Sequence, residues 1–222
     1  MNRGERIADA VRRGSGRVAI VLGDWCEAFR ASTLDDPLAP QNRFLRLQAE
    51  FAPPGNGLRP PGYGGAAWWG TFDSAYTRVG DYVRRPESTP GAGDGAVWFI
   101  ASQEPLLPVL CVRTTGMVDV SRPAGPAGRG VNTYGGVVRN AAVPVARRWP
   151  ASLLAAGGSG AVGAELPARL PSGSWQVLMP AMPGAVLGRG DIVTEASGWT
   201  GVISSAELTA LGWRLVVREA AA

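Results

Sequence analysis

Apolar residues in this chain come in short runs broken by Gly, Pro, Asp and Ser, a pattern that predicts many short strands joined by turns. Near the N-terminus Ile7 and Val11 lie four apart with Ala8 and Ala10 beside them, which predicts a short amphipathic helix over residues 5–13, stopped by Gly14-Ser15-Gly16. The apolar segment from Val18 to Phe29 fits either helix or strand. The two prolines of DDPLAP (35–40) exclude regular structure there, FLRLQAEF (44–51) predicts a strand, and APPGNGLRPPGYGG (52–65) predicts a loop. From Ala66 the aromatic-rich AAWWGTF predicts a strand, followed by one near Tyr82, a polar hairpin loop, and buried strands in VWFIAS and LLPVLCVRT. Residues 122–173 read as an irregular connector marked by RPAGPAGRG, GGSG and LPARLPSG, with a short helix expected from Pro150 to Ala156. Strands are predicted in SWQVLMP, GDIVTE, TGVISS and WRLVVR, with a turn at Ser197-Gly198 and a helical turn in AELTALG.

The later strands repeat the earlier ones. GDYV (80–83) leads to VWFIASQEPLLPVLCVR, and GDIV (190–193) leads to TGVISSAELTALGWRLVVR. The offset is 110 residues at the aspartates (191 − 81) and 103 at the glutamates (207 − 104), so one copy carries a seven-residue insertion, placed between Arg85 and Gly95. Surface loops accept such length changes and strands do not. The expected fold is mainly β, with two small duplicated β-barrel-like modules. Residues 1–65 would form an N-terminal arm with an extended loop, 66–121 the first module, 122–173 the connector, and 174–222 the second module.

Charge and composition narrow the function classes. All 22 basic side chains are arginine and there is no histidine, with a net charge of +4, too modest for a surface that binds nucleic acid throughout. Arg3, Arg6, Arg12, Arg13 and Arg17 face only Glu5 and Asp9 among the first residues, which reads first as a solvated helix face and second as a basic arm that contacts DNA or an acidic partner. Cys26 and Cys111 sit in apolar surroundings, which favours two reduced, buried thiols over the alternative of one disulfide. Uncharged stretches such as Trp149 to Ala164 are shorter than a bilayer span and the early apolar run is too short for a signal peptide, so a soluble product made in the cytoplasm is expected.

Without histidine no Ser-His-Asp or Cys-His arrangement can form, and without lysine neither Schiff-base chemistry nor the phosphate-loop lysine is available. Asp81 and Asp191 follow glycines at strand starts, where turn chemistry accounts for them. Glu104 and Glu207 could be imagined as a glycosidase acid pair, but two equivalent positions in a repeat point to one structural role used twice. No catalytic residue, cofactor or metal site is expected. The tryptophans read first as core packing; Trp25, Phe44, Phe51, Trp68 and Trp149 are the candidate subunit-interface aromatics, partly because adjacent Trp68 and Trp69 must point to opposite sides of a strand.

The runs DPLAP, YGG, GTFDSAYTRVGDYV, FIASQEPLLPVLCVRT and VISSAELTALGWRLVVR resemble those of virion-associated proteins of tailed bacteriophages and prophages of GC-rich proteobacteria. The order of strand, GD turn and final strand ending in Arg also resembles the small barrels of head–tail connector and stopper proteins. The resemblance implies a non-enzymatic, ring-forming neck protein of the virion. Its implied partners are copies of itself, the portal or adaptor, tail proteins and DNA in the channel, with no membrane span. A tail or baseplate position is the alternative within that class, and a glycan-binding or glycan-degrading tail protein the alternative outside it.

Overall fold

The computed structural model describes residues 3–53, 64–87, 95–124, 142–155 and 173–219. Most of the predicted loop 52–65, the hairpin insertion at 88–94, and most of the connector, including its GGSG and LPARLPSG strings, lie outside the described residues.

Among the described residues, twelve strands follow one α-helix. The helix α1 spans Arg3–Leu22; then come β1 (Asp24–Phe29), β2 (Arg43–Ala52), β3 (Ala67–Thr71), β4 (Tyr82–Arg85), β5 (Ala96–Ser102) and β6 (Val109–Arg113). These six close into an antiparallel barrel in the order β1-β2-β3-β6-β5-β4, with β4 returning to β1 through Glu27↔Arg84, Ala28↔Val83 and Phe29↔Tyr82. The remaining six are β7 (Gly116–Arg122), β8 (Val143–Ala155), β9 (Ser174–Met179), β10 (Ile192–Glu195), β11 (Thr200–Thr209) and β12 (Gly212–Glu219). They close in the order β10-β11-β12-β9-β8-β7, which is the same strand order once each barrel is counted from its own first strand. Closure leaves no strand edge unpaired around either ring.

The repeat is therefore larger than the expected modules, and the boundaries at 66, 122 and 174 do not hold. The predicted arm contains β1 and β2, and the predicted connector contains β8 together with the last residue of β7. The helix expected from Pro150 to Ala156 is replaced by strand over Pro150 to Ala155, where Ser152 to Ala155 pair with Trp175 to Leu178 of β9. Nor does AELTALG turn into helix: β11 runs on to Thr209, Ala210 and Leu211 make the turn, and the hairpin re-pairs at Thr209↔Gly212. Gly14 and Gly16 do not stop α1, since tertiary contact outweighs their weak helix propensity. At Gly16 an added Cβ would lie 3.0 Å from Asp73 Cβ, so the missing side chain lets the helix lie close on the barrel.

Each barrel repeats one set of contacts where its first strand meets its fourth. Arg30, just after β1, donates from Nε and Nη2 to the two carboxylate oxygens of Asp81 at 2.8 Å each, and its Nη2 also reaches Tyr76 O at 3.1 Å. In the second barrel Arg122 donates the same pair of bonds to Asp191, both 2.8 Å, and its Nη2 reaches Val186 O at 2.8 Å. Asp81 accepts the Arg78 N–H, and Asp191 the Gly188 N–H. The preceding glycines have φ of 92° at Gly80 and 90° at Gly190, the left-handed region that glycine tolerates. Their N–H groups donate to Ile100 O and Ile203 O, whose own N–H groups return to Asp81 O and Asp191 O. Ile100 and Ile203 also precede a register shift in each hairpin. The aspartates thus match as expected, but the glutamates do not: Glu104 lies in the turn after β5, whereas Glu207 is within β11, opposite Arg214.

Inside the first barrel, Phe51 stacks on Trp98 with centroids 3.9 Å apart, among Cys26, Ala28, Leu47, Val83, Ile100 and Cys111. Both cysteines are free, and burial pushes the Cys26 thiol up to about 11 and the Cys111 thiol far above its ordinary value. Between the barrels, Tyr82 donates from its hydroxyl to Pro150 O at 2.9 Å and packs its ring edge-on against Trp149. The Trp149 Nε1 donates to Leu34 O in the β1–β2 loop, which also forms a short parallel bridge, Asp35↔Arg147, with β8.

Asp81→Ala and Asp191→Ala should each lower stability by about 1.5–3 kcal/mol, the range for charge-assisted hydrogen bonds, as measured by urea unfolding at neutral pH. A loss below about 0.5 kcal/mol in both variants would contradict the repeated role of the pair. Burial alone would raise the Asp191 carboxyl, but the Arg122 bonds and charge and the Gly188 N–H together hold it below its ordinary value. The Glu27 carboxyl is lowered chiefly by its Arg84 hydrogen bond. Groups lowered in this way stabilise the fold above their unfolded pKa and lose that contribution as pH falls through the folded one. Stability should hold between about pH 7 and 5 and decline below about pH 4, and Asp191→Asn should flatten that acid limb.

Candidate interaction surface

The carboxylates singled out from the sequence do not converge. Asp81 and Asp191 are buried and held by arginines in separate barrels, Glu104 is exposed in a turn, and Glu207 pairs with Arg214 on the surface. Among the described residues no group of three or more potential ligands could hold a metal ion. A cavity of about 170 Å³ lies between α1 and the β3–β4 and β5–β6 loops, lined by Arg12, Ser15, Thr77 and Gln103. Small-molecule sites usually occupy roughly 300–1,000 Å³. Gln103 already donates to Thr77 Oγ1 at 2.6 Å within it.

What the fold leaves open is α1. Its packed face is made of Ala8 and Ala19, both buried, with Arg12 and Ser15 between them on the cavity side. The helix lies against β2 and β3, and at Gly23 an added Cβ would meet the Ala49 carbonyl carbon at 2.6 Å, so only glycine permits the close turn into β1. On a 3.6-residue repeat, Ile7, Val11, Val18, Val21 and Leu22 fall on a second stripe, and all are exposed, Val21 to 79%. Arg3, Arg6, Arg13 and Arg17 form a third stripe, also exposed. Arg13 pairs with Asp9 at 2.5 Å, whereas Arg3, Arg6, Arg12 and Arg17 have no carboxylate partner among the described residues. No described helix is both long and apolar enough to cross a membrane.

The structure thus gathers Arg3, Arg6, Arg13 and Arg17 on one face of α1 and sets Arg12 apart. Of the interface aromatics, Trp25 is 57% exposed under the Arg46 guanidinium and Phe44 is 38% exposed under Arg30. Phe51 and Trp149 are corrected: Phe51 fills the first barrel, and Trp149 is buried where the two barrels of one chain meet. Trp68 and Trp69 do face opposite ways, but Trp68 packs into the first barrel's core and Trp69 against the core that the two barrels share, so the half-buried Trp68 is held mainly by its own chain. The sequence reading missed Arg30 and Arg122. Their signal was a strand ending in Arg ahead of the GD turn in each half, AFR at 28–30 and VSR at 120–122.

Comparison with protein-family models, with curated proteins and with solved structures finds no significant match.

Two neighbouring positions on α1 should behave oppositely. Val18→Asp, on the exposed stripe, should change stability by less than about 0.5 kcal/mol, while Ala19→Asp buries an unpaired charge against the barrel and should cost several times that. Limited proteolysis should release residues 3–22 from the Ala19→Asp variant and not from Val18→Asp. Equal sensitivity of the two would show that α1 is not packed as described.

Proposed function

We propose that the chain is a non-enzymatic structural component of a tailed-phage particle, one that forms a ring in the neck between portal and tail. The observation that carries this reading is α1: an apolar stripe and an arginine stripe, side by side and uncovered, displayed from two closed barrels that offer no open sheet edge. Scattered exposed apolar residues are ordinary, but a contiguous row flanked by unpaired charge marks an interaction face. The sequence strings resembling phage virion proteins supply the particle context. The twin barrels suit a rigid ring element, because each is sealed by its own strands and the two share a buried contact at Trp149 and Tyr82.

The carboxylates weigh against the glycan-degrading alternative. An acid pair for glycoside hydrolysis needs two carboxyl groups about 5–10 Å apart across a cleft. Asp81 and Asp191 are each engaged by an arginine in a different barrel, and Glu207 is paired to Arg214. Four of the tryptophans pack edge-to-face in pairs, Trp68 with Trp98 and Trp175 with Trp199, rather than lying side by side as an open platform.

Imaging of particles carrying a small tag on this chain should show a ring of identical copies at the head–tail junction. Particles without the chain, or density confined to a baseplate or fibre, would overturn the neck assignment. Glu104→Gln and Glu207→Gln should leave infectivity near wild type, whereas intact but non-infectious particles would favour the enzymatic alternative.

A further inference from the structure

We propose that the groove beside α1 receives an acidic amphipathic helix from a partner protein of the assembly, a proposal that rests on reading the chain as an assembly module. A concave hollow of about 580 Å³ lies along the N-terminal half of α1, lined by Ile7, Ala8, Arg12, Pro105 and Leu106 and by two carboxylates, Glu5 and the Arg13-paired Asp9. Leu106, in the β5–β6 loop, is exposed and forms its far wall with Pro105. From Ile7 to Leu22 the exposed row extends roughly 22 Å, the length of four turns of a facing helix. Such a partner would seat side chains at i, i+3, i+4 and i+7 against Ile7, Val11 and Val18.

Charge selects among occupants. Arg3, Arg6, Arg12 and Arg17 have no carboxylate partner among the described residues, so they call for acidic side chains bordering the partner's apolar face. A second copy of α1 would bring like charges together. The stretches 54–63, 125–141 and 156–172 of this chain carry no net negative charge either, and 88–94 holds one carboxylate, Asp94, in seven residues, too few to face four helical turns, so none supplies the match. Duplex DNA would satisfy the arginines but leave the apolar row in water. A bilayer, being flat, would leave the hollow between α1 and Leu106 unfilled.

The test uses the full chain and a fluorescent designed peptide of about 18 residues, with leucines on one helical face and glutamates flanking them. Anisotropy titration should show saturable binding, weakened at least about tenfold by scrambling the peptide or by replacing its glutamates with lysines. Val11→Asp and Val18→Asp should each weaken it by a similar factor with the melting temperature unchanged. Arg6→Glu with Arg17→Glu should weaken it most at low salt. Absence of binding, equal binding of the scrambled peptide, or indifference to Val18→Asp would overturn the proposal. So would tighter binding to equimolar phosphatidylglycerol–phosphatidylcholine vesicles or to duplex DNA, since either would assign the face to another class of partner. Failure of the titration with the chain still found in a neck ring would remove this occupant and leave the assembly reading standing.

Discussion

The seam between the first and fourth strands is the constraint on which each barrel depends. In the first barrel it consists of three paired positions, Glu27↔Arg84, Ala28↔Val83 and Phe29↔Tyr82, and in the second of four. So short a ladder contributes few hydrogen bonds against the entropy of bringing distant strands together. The bidentate pair Arg30–Asp81, and Arg122–Asp191 in the second barrel, ties the end of the first strand to the turn that launches the fourth. The glycine before each aspartate lets the backbone turn so that its N–H also bonds into the fifth strand. One side chain and one turn thereby hold three strands together. In the first barrel Glu27 adds a cross-seam contact, bonded to Arg84 and Arg43 at 2.6 Å each.

With the seam closed, the alternation of side chains sorts the remaining surface. Val83, Trp98, Ile100 and Cys111 turn into the first barrel, while Tyr82, Phe99 and Val112 turn outward. That outward face would be a large apolar patch on a lone barrel, and the second barrel covers it with Trp149 at the contact. The repeat therefore lets one chain bury what one copy would expose. It leaves α1, anchored through two alanines and two close glycine contacts, as the element whose apolar residues are not absorbed.

Strand identity was legible where residues alternate or run apolar between glycines, as in FLRLQAEF, AAWWGTF and SWQVLMP. The glutamates that supplied the offset of 103 differ in structure, but Ile100 and Ile203 keep it (203 − 100), so the insertion does fall between β4 and β5, where a loop can lengthen while its flanking pairs stay fixed. Barrel membership was not legible. β1 lies far in sequence from β4, which it joins, and DDPLAP between β1 and β2 read as irregular chain within an arm, although it is a loop that docks on β8. β8 was hidden because Pro144, Pro150 and a left-handed Arg148 interrupt its pattern; Asp119 takes the Arg148 N–H at 2.7 Å and stabilises that kink. The helix outlasted Gly16 because close packing against Asp73 favours a position without a side chain there, while Gly14 faces open space and only weakens the helix locally. The concentration of arginine near the N-terminus was readable from composition, but its arrangement on one face of a helix that runs past Gly16, like the burial of Phe51 and Trp149, depended on contacts the pattern did not reveal.

The central claim is that residues of the predicted arm and connector complete two closed barrels. Hydrogen–deuterium exchange on the purified full chain tests it most directly, because an amide within a closed ladder exchanges only when the barrel opens. Residues 24–29, 43–52 and 146–155 should be protected as strongly as 96–102 and 212–219. Rapid exchange across 24–52, with protection confined to strands after residue 66, would contradict it.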